Sequence, residues 1–144
     1  MTSIDFYFNA EDRLQVACRL AGKALAQGKR VLIYAPDADT AQRIDRMLWT
    51  WPATGFVPHC SMHDPIAGQT PVLIGDEPAA AARCDVLLNL AAGTPPAFER
   101  FERLLEVVAL EGPEREEARS RYRYYRDRGY RIADHDLAGS ARRE

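Results

Sequence analysis

The chain has 144 residues, 47% apolar and 28% charged, the balance of one folded domain whose core can stand without disulfide or metal. Its net charge of −2 argues against a general polyanion binder, no apolar run approaches the ~18 residues of a membrane span, and Met1-Thr2-Ser3-Ile4-Asp5 lacks the basic and apolar regions of a secretion signal. Cys18, Cys60 and Cys84 are odd in number, widely spaced and without a C-x-x-C pair, which reads as reduced thiols of a cytoplasmic protein.

Ile4, Phe6 and Phe8 alternate with Asp5, Tyr7 and Asn9, the period-two signature of a strand. Asn9 or Asp12 can cap a following helix in which Leu14, Ala17, Cys18, Ala21 and Leu25 recur at helical spacing, with Gly28 at its end. Val31-Leu32-Ile33-Tyr34 is too brief for a helix and reads as a buried strand. Asp37 or Asp39 caps a second helix, with Ala41, Ile44, Met47 and Leu48 facing the core, that ends before Pro52. Residues 50–71 are punctuated by five prolines and glycines after Pro52 and read as irregular. Val72-Leu73-Ile74 and Val86-Leu87-Leu88 are further buried strands, with a short turn or helix at Ala79–Arg83 between them. Phe98, Phe101, Leu104, Leu105 and Val108 fit a helix, yet Leu104–Val108 also fits a strand, and periodicity leaves both open. Gly112-Pro113 opens a last helix that runs to Gly129, Tyr130–His135 is the final strand, and residues 138–144 are expected to fray. Strands alternating with helices predict one α/β domain over 1–144, a mostly parallel sheet with helices on both faces.

Catalytic and cofactor motifs are missing. Gly28-Lys29-Arg30 precedes a strand where a phosphate loop follows one, and neither G-x-x-x-x-G-K-[ST] nor G-x-G-x-x-G occurs. The Ser residues sit in no G-x-S-x-G elbow. His59, Cys60, His63 and Asp64 are ligand types at a spacing that is no metal pattern, and read as loop polarity. No enzyme activity, cofactor or metal is therefore expected.

Charge is uneven along the chain. Residues 1–117 hold 11 basic and 17 acidic side chains, whereas 118–131 hold six arginines against Asp127 alone. Arg115, Arg119, Tyr122, Arg123 and Arg126 share one helix face by the i, i+3, i+4 rule. A solvated face with Glu116 and Glu117 paired to Arg119 and Arg121 is the plain reading of such a run. Arginine forks interleaved with Tyr122, Tyr124 and Tyr125 also make a receptor for a carboxylate borne on an apolar side chain, or for phosphates and stacked bases. Trp49-Thr50-Trp51-Pro52 with Phe56-Val57-Pro58 form a second feature: large aromatics and prolines at a helix end and its following loop, which either seal the sheet edge or make an apolar patch for a protein partner.

Taken with Phe6-Tyr7, Gly28–Ile33, Leu48-Trp49, Phe56-Val57-Pro58-His59 and Asp85-Val86-Leu87, the run Ala118–Arg126 leading to Gly129-Tyr130 resembles the chi subunit family of bacterial DNA polymerase III holoenzyme over nearly the whole chain. The resemblance implies a Rossmann-like three-layer fold without a phosphate loop, and a strand at 103–109. It implies a non-catalytic adaptor of the clamp-loader assembly. Such an adaptor binds the small psi subunit and the acidic, phenylalanine-ended tail of single-stranded-DNA-binding protein. Carried onto this sequence, the tail site falls on Arg115, Arg119 and Tyr122 with Arg123 and Arg126 beside them, and the psi surface on Trp49, Pro52 and Phe56. An XPD-like helicase is the alternative partner at that second surface, and nucleic acid is met only indirectly. The rival readings are a nucleotide- or phosphate-handling enzyme on the same kind of sheet and a direct binder of single-stranded nucleic acid.

Overall fold

A computed structural model describes residues 1–50, 57–81 and 83–138. Among these residues seven strands, β1 (Ser3–Ala10), β2 (Val31–Tyr34), β3 (His59–Ser61), β4 (Val72–Gly75), β5 (Val86–Asn89), β6 (Arg103–Ala109) and β7 (Ile132–Asp136), alternate with three helices, α1 (Arg13–Ala26), α2 (Ala38–Thr50) and α3 (Pro113–Asp127). The strands form one sheet in the order β3-β4-β2-β5-β6-β1-β7, and every pairing in it is parallel. Parallel neighbours need long crossovers, which α1, α2 and α3 supply after β1, β2 and β6, and loops with short 3-10 turns supply between β3 and β6.

Side-chain alternation divides the core into two layers. Val31, Ile33, Val72, Ile74, Val86 and Leu88 face one side and pack on Ala17, Cys18 and Ala21 of α1 and Ile44 and Leu48 of α2. Leu32, Leu73, Leu87, Leu104 and Phe6 face the other, against Ala118 and Tyr125 of α3 and the short 3-10 turn carrying Phe98. Each such fully buried Leu or Ile contributes about 1.5–3 kcal/mol over leaving it in water. Burial also pushes the Cys18 and Cys84 thiols up to about 11, so at neutral pH both are un-ionised core groups.

Local signals act where physics places them. Asp12, not Asn9, caps α1 by accepting from the Leu14 and Gln15 amides, and Asp37 takes the Thr40 amide at the start of α2. Gly129 follows α3 with φ +84°, the left-handed conformation in which an absent Cβ avoids strain. The segment that fits both helix and strand is strand β6 from Arg103, preceded by the 3-10 turn Phe98–Arg100. The turn between β4 and β5 is a 3-10 turn over Pro78–Ala80. The stretch 50–71 is less irregular than its prolines suggest, because it contains the three-residue edge strand β3.

The β1 ladder shifts register between Tyr7 and Ala10. Asn9 lies there at φ +64°, a conformation that short amide side chains tolerate. Its amide donates to Asp136 Oδ1 at 2.9 Å and its carbonyl oxygen accepts from Arg115. Lower in the same strand, the largely buried Asp5 accepts from Arg103 of β6 and faces His135 of β7, each at 2.9 Å, tying β1 to both neighbours.

Candidate functional site

The outer face of α3 and the edge of the sheet enclose a shallow groove of about 310 Å3 lined by Phe8, Arg119, Tyr122, Arg123, Arg126 and Asp134. Helical spacing puts the four α3 residues in a row over about two turns. Strand β1 supplies Phe8, and β7 supplies Asp134 opposite Phe6 in the ladder. The Tyr122 ring lies 4.9 Å from Phe6 and 6.2 Å from Phe8, so the floor is aromatic. Its hydroxyl donates to Asp134 Oδ2 at 3.2 Å. Partial burial and the Asp134 carboxylate push that hydroxyl above its ordinary range, and it remains a donor at neutral pH. Arg119 pairs with Glu116 at 3.1 Å and Arg126 with Asp127 at 3.6 Å, all four exposed.

Arg115 is placed apart from this lining. Its guanidinium donates to Asn9 Oδ1 at 3.4 Å and to the Leu110 carbonyl, bracing the loop between β6 and α3. The three tyrosines of the run also diverge. Tyr124 points outward with Arg128 3.8 Å above its ring, and Tyr125 is fully buried.

Arg121 does not pair with Glu117. It turns inward, 6% exposed, onto the fully buried Glu106 of β6, with Nε 3.1 Å from Oε1. Asn89 donates to both Glu106 oxygens at 3.1 Å, Tyr125 donates to Oε2 at 2.6 Å, and Arg121 also reaches the Ala92 carbonyl. Burial pushes the Glu106 carboxyl above its ordinary value, against the opposing pull of the Arg121 charge and these donors. The network fixes the inner face of α3, and with it the direction in which the outer arginines project. Sequence reading missed it, although a glutamate inside Leu104-Leu105-Glu106-Val107-Val108 is the signal of a buried polar anchor.

At the opposite edge of the sheet, Trp49 ends α2 and is 60% exposed, its ring 4.7 Å from that of His59 in β3. His59 is buried strand rather than loop polarity: Nδ1 lies 2.7 Å from the Val57 carbonyl and Nε2 3.2 Å from Asp45. Pro52 and Phe56 lie outside the described residues. His63 parts from His59 and sits 2.9 Å from Asp76 and 3.6 Å from Glu77. These three exposed side chains could each offer a cation one ligand atom. The hydrogen bond between His63 and Asp76 is the main cause that raises the His63 imidazole and lowers the Asp76 carboxyl.

Where parallel α/β sheets hold phosphates, at the helix N-terminus after β1, this chain has Asp12 with its carboxylate already on the Leu14 and Gln15 amides. The neighbouring cleft at the strand ends measures about 200 Å3, and Glu114 and Glu117 line it opposite Arg13 and Arg121, the latter already held by Glu106. Asp12 occupies the anion position, the cleft's arginines are matched by glutamates, and the space is below the ~300 Å3 of ordinary ligand pockets.

Fold and groove together define a Rossmann-like α/β protein whose distinctive surface is an arginine-lined, aromatic-floored groove at a sheet edge. The family model described as DNA polymerase III chi subunit, HolC, matches residues 1–133. The chain is 37% identical over 142 residues to the DNA polymerase III subunit chi of Pseudomonas aeruginosa, covering 95% of this chain and 98% of that protein. It is 33% identical over 119 residues to that of Escherichia coli, covering 82% and 81%, and 28% identical over 124 residues to that of Haemophilus influenzae, covering 85% and 86%. The chain belongs to the DNA polymerase III chi subunit family. It is thus a replication accessory subunit rather than the catalytic one. Among the described residues no helix is long and apolar enough to cross a membrane.

Proposed function

We propose that this chain is a cytoplasmic adaptor that joins single-stranded-DNA-binding protein to the clamp-loader assembly. Its α3 groove takes the acidic, phenylalanine-ended tail of that protein, and its Trp49 end takes the psi subunit or, where psi is lacking, an XPD-like helicase. The observation that carries the reading is the groove itself. Three guanidiniums stand beside an aromatic floor of Phe8 and Tyr122, which matches a carboxylate attached to a phenyl ring. Arg119 is the first fork for the terminal carboxylate, Arg123 and Arg126 meet upstream aspartates, and Arg115 braces the loop beside them. Family membership supports the same assignment. Placement supports simultaneous docking, because Trp49 packs on β3 at one edge of the sheet while Asp134 belongs to β7 at the other.

Isothermal titration with a peptide of several aspartates ending in phenylalanine tests the assignment. Wild type should bind it, Arg119→Ala should lose about 1.5–3 kcal/mol as a charge-assisted pair is removed, and amidating the peptide terminus should weaken binding similarly. Equal affinity across these three measurements refutes the assignment.

A further inference from the structure

The groove is basic in sequence but balanced in space. Arg119, Arg123 and Arg126 face three carboxylates: Glu116 on Arg119, Asp127 on Arg126, and Asp134 in the lining itself. The first two are neighbours on the helix, exposed and easily parted. Asp134 differs because it comes from another element. It stands on β7 across the groove from the arginines, held by the Tyr122 hydroxyl at 3.2 Å and by the strand's pairing with β1. The pairing fixes its backbone at the groove, so the exposed carboxylate can turn but its charge stays beside the arginines.

We propose that Asp134 is a selectivity residue that turns polyphosphates away from the arginine row while admitting the end of an acidic peptide. It rests on the tail-binding reading above and adds a reason for an acid inside an anion site. Arg119 to Arg126 spans about 10 Å along the helix axis. A nucleic-acid backbone lying along that row sets its phosphates at fixed, close intervals and cannot avoid the Asp134 charge. Non-specific nucleic-acid binding is almost wholly electrostatic, so a negative charge in the track weakens it directly. A peptide end needs only one carboxylate at one fork. It gains the rest from its ring on Phe8 and Tyr122, and its aspartates can turn toward whichever guanidinium is open. An adaptor working beside single-stranded DNA gains from this, since DNA would otherwise compete for the arginines.

The charge alone is removed by Asp134→Asn, which keeps an oxygen to accept from Tyr122, and thermal melting checks that the exposed edge strand stays folded. Binding of a labelled single-stranded oligothymidylate at low salt is read by fluorescence anisotropy, and the phenylalanine-ended acidic peptide is titrated in parallel. The variant should bind the oligonucleotide at least about threefold tighter, the water-screened effect of a unit charge at roughly 6 Å. Its affinity should fall more steeply with salt than wild type's, and peptide affinity should rise by a smaller factor. Adding Arg126→Ala to the variant should remove the gained oligonucleotide binding. Unchanged oligonucleotide affinity overturns the proposal, and so does a peptide gain as large as the oligonucleotide gain. A peptide that binds neither protein overturns the tail reading, while the oligonucleotide arm still decides whether Asp134 guards the arginines.

Discussion

Removing Arg121 should destabilise the fold more than removing any outer arginine of α3, and the deficit should depend on pH. Glu106 is fully buried and Arg121 is 6% exposed, so Arg121→Met leaves a carboxylate in the core with only the Asn89 and Tyr125 donors. Stranding one member of a buried pair costs about 3–5 kcal/mol, which for a chain of this size lowers Tm by roughly 6–20 °C. Burial already holds the folded pKa of Glu106 above its unfolded value, with Arg121 the main opposing influence, and the substitution raises it further. A carboxyl raised on folding stabilises the native state fully below its unfolded pKa, and that contribution is lost as pH rises toward the folded one. The deficit of Arg121→Met should therefore be small near pH 4 and largest at neutral pH, where the buried group must ionise or hold its proton at a cost. Urea denaturation of wild type, Arg121→Met, Glu106→Gln and the double variant at about pH 4 and pH 7.5 forms a double-mutant cycle. The double variant should be more stable than the sum of the single losses allows. A loss below about 1 kcal/mol at neutral pH, or one equal at both pH values, refutes the anchoring role of the pair.

Trp49→Ala should lose no more than about 1–2 kcal/mol of stability, against the 3–5 of a buried tryptophan, because the residue is 60% exposed and its ring packs on His59 along one side. The same variant should lose at least about 2 kcal/mol of psi or helicase binding; a large fall in Tm, or unchanged binding, counts against the interface. Gly75→Ala places a methyl group inside the Met62 side chain, so it should cost about 1–3 kcal/mol. Adding Met62→Ala should recover part of that loss in thermal melting, and no loss from Gly75→Ala would show that the site relaxes freely.

The sequence by itself determined whatever rests on near neighbours. The β-branched runs at 31–34 and 72–74, the Asp12 and Asp37 caps and the glycine after α3 specify their elements through interactions within a few residues. Strands spaced by helices in turn require parallel pairing. The outer row Arg119, Tyr122, Arg123 and Arg126 was legible for the same reason, since helical spacing alone aligns it. Other features required tertiary partners. Leu104–Val108 satisfies both periods, and only pairing with β1 and β5 makes it a strand. The three-residue β3 has too short and polar a sequence to announce itself, and exists because β4 offers it a ladder. Arg121 reads as one more surface arginine until β6 sets Glu106 beneath α3, a neighbour fifteen residues away in sequence. Asp134 joins the arginines only because β7 returns to pair with β1. A side chain's charge is written in the sequence, but the charges it will face depend on which strands come to lie side by side.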